Sequence, residues 1–150
     1  MKLASALSER SDLQRRLSEL NRRLENNAKV QDGDQPAENP EALLTEMNQA
    51  FTRLEELIAH INLTNAKTVS GDATLTELLA RRDCLKQRVN MMRSFLEAAS
   101  AKVDRYSTKE IKVTSTVSVS ELQKQNDKLS KELRELDEKI QELNWTTELQ

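Results

Sequence analysis

Residues suited to metal or cofactor chemistry are sparse in this sequence. His60 is the only histidine, and it follows Glu56 by four residues. A di-metal site in a helical bundle uses a glutamate three residues before a histidine, and a zinc site needs further histidine or cysteine ligands. The spacing therefore predicts no metal site and no cofactor. We interpret His60 as a partly exposed helix residue beside the apolar Ile61.

Cys84 is the only cysteine, so the chain cannot form an internal disulfide. A catalytic thiol needs a neighbouring base and a backbone turn that presents it, and the run Arg81-Arg82-Asp83-Cys84-Leu85-Lys86 indicates no such turn. A free thiol suits a reducing compartment. We interpret Cys84 as a buried side chain that behaves as a small apolar group.

A few polar residues are less generic than the charged helix surfaces around them. They are Arg82, Asp83, Tyr106 and the tail Asn144-Trp145-Thr146. An enzyme would have to build its active site from these residues between subunits. Alternatively they hydrogen-bond the helix ends, with Tyr106 ending the third helix and Trp145 covering the base of the bundle. The second interpretation requires no reaction centre, and we predict that the protein is not an enzyme.

The composition is typical of long amphipathic helices. Of 150 residues, 32% are charged and 37% apolar, and there are only 2 glycines and 2 prolines. The 23 basic and 25 acidic residues leave a formal charge of −2, which gives no long-range field favouring nucleic acid or an anionic membrane. No segment has the roughly 18 apolar residues of a membrane span, and the first residues lack the apolar core of a signal peptide. We expect a cytoplasmic protein.

Apolar residues recur at alternating steps of three and four, the period of helices that pack in coiled coils. The pattern predicts four helices, at about 2–28, 40–63, 74–105 and 120–143. Asn39 before Pro40 indicates an N-cap and a first-turn proline, and Thr74 with Glu77 has capping-box spacing. We expect the helices to fold back on one another as an antiparallel helical bundle, a single domain covering the whole chain.

The second predicted helix has a broad apolar stripe. Its ladder consists of Leu43, Met47, Ala50, Leu54, Leu57 and Ile61. Leu44, Phe51 and Ile58 lie beside this ladder and broaden it to the width of a bundle core. We therefore expect this helix to be the most buried of the four.

Polar residues interrupt the ladders at Arg10, Arg82 and Asn126. A polar side chain at a core position costs stability but can set the register and the number of partners. We predict that these three residues specify assembly. Arg10 and Arg82 are expected to reach acidic side chains at the rim of the bundle, and Asn126 is expected to meet a polar partner across the seam.

The period changes to two after Tyr106, where Ile111, Val113, Val117 and Val119 alternate with polar residues. This alternation of β-branched residues predicts one short β segment at about 110–118. A lone strand leaves its backbone groups unpaired, so it must form a hairpin within 110–119 or pair with a neighbouring chain. Together with the narrow stripes of the first and fourth helices, this predicts a homo-oligomer.

Several short segments are familiar as a set. They are Leu24-Glu25-Asn26-Asn27-Ala28, Asn39-Pro40-Glu41, Ile61-Asn62-Leu63-Thr64-Asn65, the block from Thr114-Ser115-Thr116-Val117 to Glu121-Leu122-Gln123-Lys124-Gln125, and the ending Asn144-Trp145-Thr146-Thr147-Glu148-Leu149. With them the chain resembles, over its whole length, a family of small bacterial proteins described as septicolysin-like. The resemblance implies cytolytic activity but brings no catalytic residue.

Two functions from different classes follow. The first is a non-enzymatic coiled-coil protein that assembles with itself and binds an unknown protein partner, without nucleic acid. The alternative is a pore-forming cytolysin, the one reading that involves a membrane. A β-type pore needs amphipathic strands of about 9–11 residues in hairpins, and residues 110–119 offer one such strand without a second.

Overall fold

The computed structural model describes residues 1–101 and 112–150. It contains α1 (Leu3–Asn26), α2 (Pro40–Lys67), β1 (Val69–Ser70), β2 (Ala73–Thr74), α3 (Leu75–Ser100) and α4 (Val119–Thr146). The prediction of a mainly helical protein with four helices and one short β segment is confirmed. The position of that β segment differs from the prediction, as described below.

The described residues divide into two compact units. Unit 1 consists of Met1–Leu75 together with Gln141–Gln150, and unit 2 of Thr76–Ile140. Each has its own buried apolar residues, with Leu20, Leu57 and Ile61 in unit 1 and Val89 and Leu96 in unit 2. That the whole chain forms a single domain stays a prediction.

Helices α1 and α2 of unit 1 pack as an antiparallel hairpin. Three ion pairs join them: Glu9 with Arg53, Arg16 with Glu46, and Arg23 with Glu38 just before α2. Later residues of α1 thus pair with earlier residues at or before α2, as in an antiparallel pair. Asn27 ties the connection down, because its side chain donates to the carbonyl of Arg23 and accepts from the amide of Glu38. The predicted reversal between these helices is present.

The start of α2 follows the sequence signal. The side chain of Asn39 accepts a hydrogen bond from the amide of Glu41 at 3.0 Å, and Pro40 is the first helical residue. Proline suits this position because its missing amide would have no partner in the first turn. The predicted N-cap is therefore confirmed.

The core of unit 1 lies between these helices and follows the predicted ladder. Leu43, Ala50, Leu54, Leu57 and Ile61 are buried on α2. Leu44, Phe51 and Ile58 are 44%, 52% and 38% exposed. The prediction that these three widen the core is wrong, because neighbouring helical positions differ by about 100° in direction and one partner helix covers only one of the two stripes.

The short sheet lies between α2 and α3. Val69 pairs with Thr74 and Ser70 with Ala73, and Gly71 at the first turn position has φ +67°. Glycine adopts such an angle without steric cost, and a two-residue loop of this kind closes a tight hairpin. The predicted elements include no strand in this stretch, although a two-residue Gly-Asp loop is a hairpin signal.

The ends of the described chain meet in unit 1. The amide of Leu3 donates to the carbonyl of Thr147 at 2.9 Å, and the amide of Leu149 donates to the carbonyl of Met1 at 2.8 Å. The buried hydroxyl of Thr64 accepts a 3.0 Å hydrogen bond from the amide of Gln150. These bonds fix the last residues after α4 against α1 and α2.

The predicted strand at 110–118 needs correction. Residues 112–118 contain no strand, Val113 and Val117 lie in irregular structure, and Val119 is the first residue of α4. Ile111 lies outside the described residues. Ser115 instead bonds its hydroxyl to the backbone of Val117, a local contact that competes with strand pairing.

Helices α3 and α4 run antiparallel within unit 2. Arg82 forms a 3.6 Å ion pair with Asp137, and the side-chain amide of Asn126 donates to the carbonyl of Val89 at 3.4 Å. The later residue of α3, Val89, contacts the earlier residue of α4, Asn126, so the two helices run in opposite directions. Val89 and Leu96 of α3 are buried.

Candidate functional site

The exposed side of α2 is the feature of unit 1 that its own packing leaves unexplained. Leu44, Phe51 and Ile58 are separated by seven residues each, so they lie in one line along the helix. Asn48 and Glu55 fall between them, and all five residues are exposed. We call these five residues the α2 outer face.

This face arises because α2 carries two apolar ladders. Leu43, Ala50 and Leu57 turn toward α1 and are buried. Leu44, Phe51 and Ile58 each follow one of them directly, and the 100° step between neighbours turns them to another side. A helix with two apolar ladders can bury both only against two partners, and α1 serves one of them.

The polar residues of the outer face have unused bonding capacity. The side chains of Asn48 and Glu55 make no hydrogen bond or ion pair with any residue of 1–101 or 112–150. By contrast, Glu9, Glu38 and Glu46, which lie along the α1/α2 contact, are all paired with arginines. The outer face therefore offers free donors and acceptors beside its apolar residues.

Two of those arginine pairs shift the pKa of their glutamate. Arg53 donates to both carboxylate oxygens of Glu9 at 2.7 and 3.0 Å, and these hydrogen bonds hold the pKa of Glu9 below its usual range. Arg23 lowers the pKa of Glu38 in the same way. Exposed pairs of this kind stabilise a helix contact weakly, and their lowered pKa values suit neither a general base nor a general acid at neutral pH.

Unit 2 has an open groove of about 500 Å³ between α3 and α4. Its lining consists of Arg82, Asp83, Lys86, Leu133, Arg134 and Asp137. Arg82 is already paired with Asp83 and Asp137. The three basic and two acidic side chains of the lining leave one excess positive charge, which provides only a weak driving force for an anionic ligand.

The three predicted assembly residues have different surroundings. Arg82 meets acidic residues at the rim, whereas Arg10 makes no ion pair with any described residue and its Nε is buried without a hydrogen-bond partner. Asn126 is 3% exposed; its side-chain nitrogen donates to the carbonyl of Val89, and its Oδ1 has no hydrogen-bond partner among the described residues. Arg10 therefore departs from the expected rim contact, and the role of all three residues in assembly stays a prediction.

Other candidate residues also differ from expectation. Cys84 is exposed rather than buried, and Trp145 is 65% exposed within α4 rather than covering a core. His60 is exposed, as interpreted, and its Nδ1 contacts the carbonyl oxygen of Gln150. Tyr106 lies outside the described residues.

Two classes of site were sought among residues 1–101 and 112–150. No three histidine, cysteine or acidic side chains there are grouped so that they could hold a metal ion. Within the same residues, no helix is long and apolar enough to cross a membrane.

Comparison with known proteins places the chain in a family. No curated protein matches it. The crystal structure of a functionally unknown conserved protein from Corynebacterium diphtheriae is similar over 100% of this chain and 99% of that one, with 46% identity and a TM-score of 0.93. Residues 10–149 match the profile of a family of unknown function (DUF6847). The chain therefore belongs to this family of unknown function.

Proposed function

We propose that the protein is a non-enzymatic helical protein of the cytoplasm that assembles with itself. The observation that carries the proposal is the α2 outer face, where Phe51 is 52% exposed between two further apolar residues on one line. Apolar residues grouped in this way on a helix are typical of helix-to-helix contacts between chains. A further protein partner could use the remaining charged helix surfaces.

The septicolysin-like resemblance supports a different proposal, that of a cytolysin. Its physical basis in the sequence was the alternation at 110–118, and residues 112–118 contain no strand. We therefore retain self-assembly as the proposed function. Dye release from liposomes tests the alternative directly, and release at nanomolar to micromolar protein would replace our proposal with the cytolytic one.

Sedimentation equilibrium over a concentration series tests self-assembly. We expect a reversible transition from monomer to oligomer in the wild type. Phe51→Ala should weaken this association about tenfold or more, since a central aromatic residue contributes disproportionately to an interface. Val69→Ala is the matched control, because Val69 is 64% exposed and lies off the outer face. A wild type that remains monomeric at every concentration would contradict the proposal.

A further inference from the structure

Resting on the proposed self-assembly, we infer that the α2 outer face binds the same face of a second copy of this chain. The two α2 helices run antiparallel about a two-fold axis that passes beside Phe51. The inference follows from the order of apolar and polar residues along this one helix and from the side chains that it leaves unpaired.

The apolar residues are arranged symmetrically around Phe51. Leu44 precedes it by seven residues and Ile58 follows it by seven, so each lies roughly 10 Å away along the helix axis. A two-fold axis at Phe51 places the two phenyl rings together and Leu44 of each copy against Ile58 of the other. All the apolar residues of the face then meet apolar residues of similar size.

The polar residues match under the same operation. Asn48 lies three residues before Phe51 and Glu55 lies four residues after it, so the axis brings Asn48 of one copy opposite Glu55 of the other. The amide N–H groups of asparagine donate to a carboxylate in a charge-assisted hydrogen bond. Both side chains lack partners among the described residues of their own chain, and the symmetry forms the contact twice.

A second polar match lies farther from the axis. Asn62 and Glu41 are exposed on the same line, and neither side chain has a partner among the described residues. The antiparallel arrangement brings Asn62 of one copy opposite Glu41 of the other. A parallel arrangement would instead place Glu55 against Glu55 and Glu41 against Glu41, and like charges facing one another across a contact disfavour it.

Charge substitution at Asn48 separates these arrangements. In the antiparallel pair, Asn48→Lys creates two ion pairs with Glu55 and should tighten the dimer roughly 2- to 10-fold at low salt. In a parallel pair it would place lysine against lysine and weaken the dimer. Gln49→Lys is the control, because it adds the same charge to the next residue of the same helix, which turns away from the face.

Sedimentation equilibrium of the three proteins measures the effect, and far-ultraviolet circular dichroism verifies that each is folded. The expected result is a tighter dimer for Asn48→Lys, loss of the gain in high salt, and no gain for Gln49→Lys. A weaker Asn48→Lys dimer would overturn the antiparallel arrangement while leaving self-assembly intact. Oligomers insensitive to both Asn48→Lys and Phe51→Ala would show that another surface mediates assembly, and a monomeric wild type would refute both proposals.

Discussion

Replacing Asn126 with leucine should stabilise unit 2. Asn126 is 3% exposed, its Oδ1 has no hydrogen-bond partner in residues 1–101 and 112–150, and its side-chain nitrogen donates to the carbonyl of Val89 only at 3.4 Å. A buried acceptor without a partner has lost its bonds to water and gained nothing in return. Leucine has the same branched heavy-atom skeleton but a larger volume, and it removes this acceptor.

The expected change in the free energy of unfolding on Asn126→Leu is the sum of opposing contributions. An unsatisfied buried acceptor costs about 1–3 kcal/mol, and burying a leucine side chain gains about 1.5–3 kcal/mol. Loss of the long hydrogen bond and imperfect packing of the branched side chain remove about 1–3 kcal/mol. We expect a net gain of about 1–3 kcal/mol in the free energy of unfolding, which corresponds to a Tm increase of roughly 2–12 °C for a chain of this size.

Urea and thermal unfolding followed by circular dichroism measure this gain. Asn126→Asp is the contrasting variant, since it places a charge in the same buried position and should lower the Tm. A Leu variant less stable than the wild type would refute the reasoning, because it would mean that the amide is satisfied in solution. Sedimentation of the same variant tests the predicted role in assembly, for which we expect a less uniform oligomeric state.

Three further variants test other contacts. Thr64→Val should lower the free energy of unfolding by about 1–2 kcal/mol, because the amide of Gln150 loses its acceptor; hydrogen exchange at residues 147–150 should accelerate, and unchanged exchange would contradict the role of this contact. Arg53→Met should lower the Tm near neutral pH, because Glu9 is ionised there and its depressed pKa contributes stability. The Tm difference between variant and wild type should vanish as pH falls through the pKa of Glu9, and thermal scans across the acid range measure this dependence. Leu57→Ala, at a position 1% exposed, should cost about 2–5 kcal/mol in urea unfolding, and a loss below 1 kcal/mol would place Leu57 outside the core.

The helix boundaries show how far local signals reach. Asn39 and Pro40 start α2 at the predicted residue, since capping depends only on neighbours in the chain. The far end of α2 extends to Lys67 and α4 extends to Thr146, both beyond the predicted ends. In unit 1, the residues after α4 hydrogen-bond to Thr64 and Leu3, and these contacts support the extra turns. Contacts between residues distant in the chain cannot be predicted from a local sequence pattern.

The sequence revealed the residues of the α2 outer face but not that they are exposed. Two interleaved ladders on α2 were evident, and both were assigned to the core. Burial depends on how many partners a helix has, and that number is set by tertiary packing. Similarly, the alternation at 110–118 predicted a strand, but a strand requires a partner, and residues 112–118 show none.

The sequence by itself therefore determined that the described residues form four amphipathic helices and that each begins close to the predicted residue. Heptad spacing and caps depend on residues within a turn or two of one another. The tertiary structure decided which of the two α2 ladders faces α1, that Cys84 and Trp145 are exposed, and that the short sheet lies at β1 and β2. Those outcomes depend on contacts between residues distant in the chain or on pairing across a turn, and periodicity alone carries no information about them.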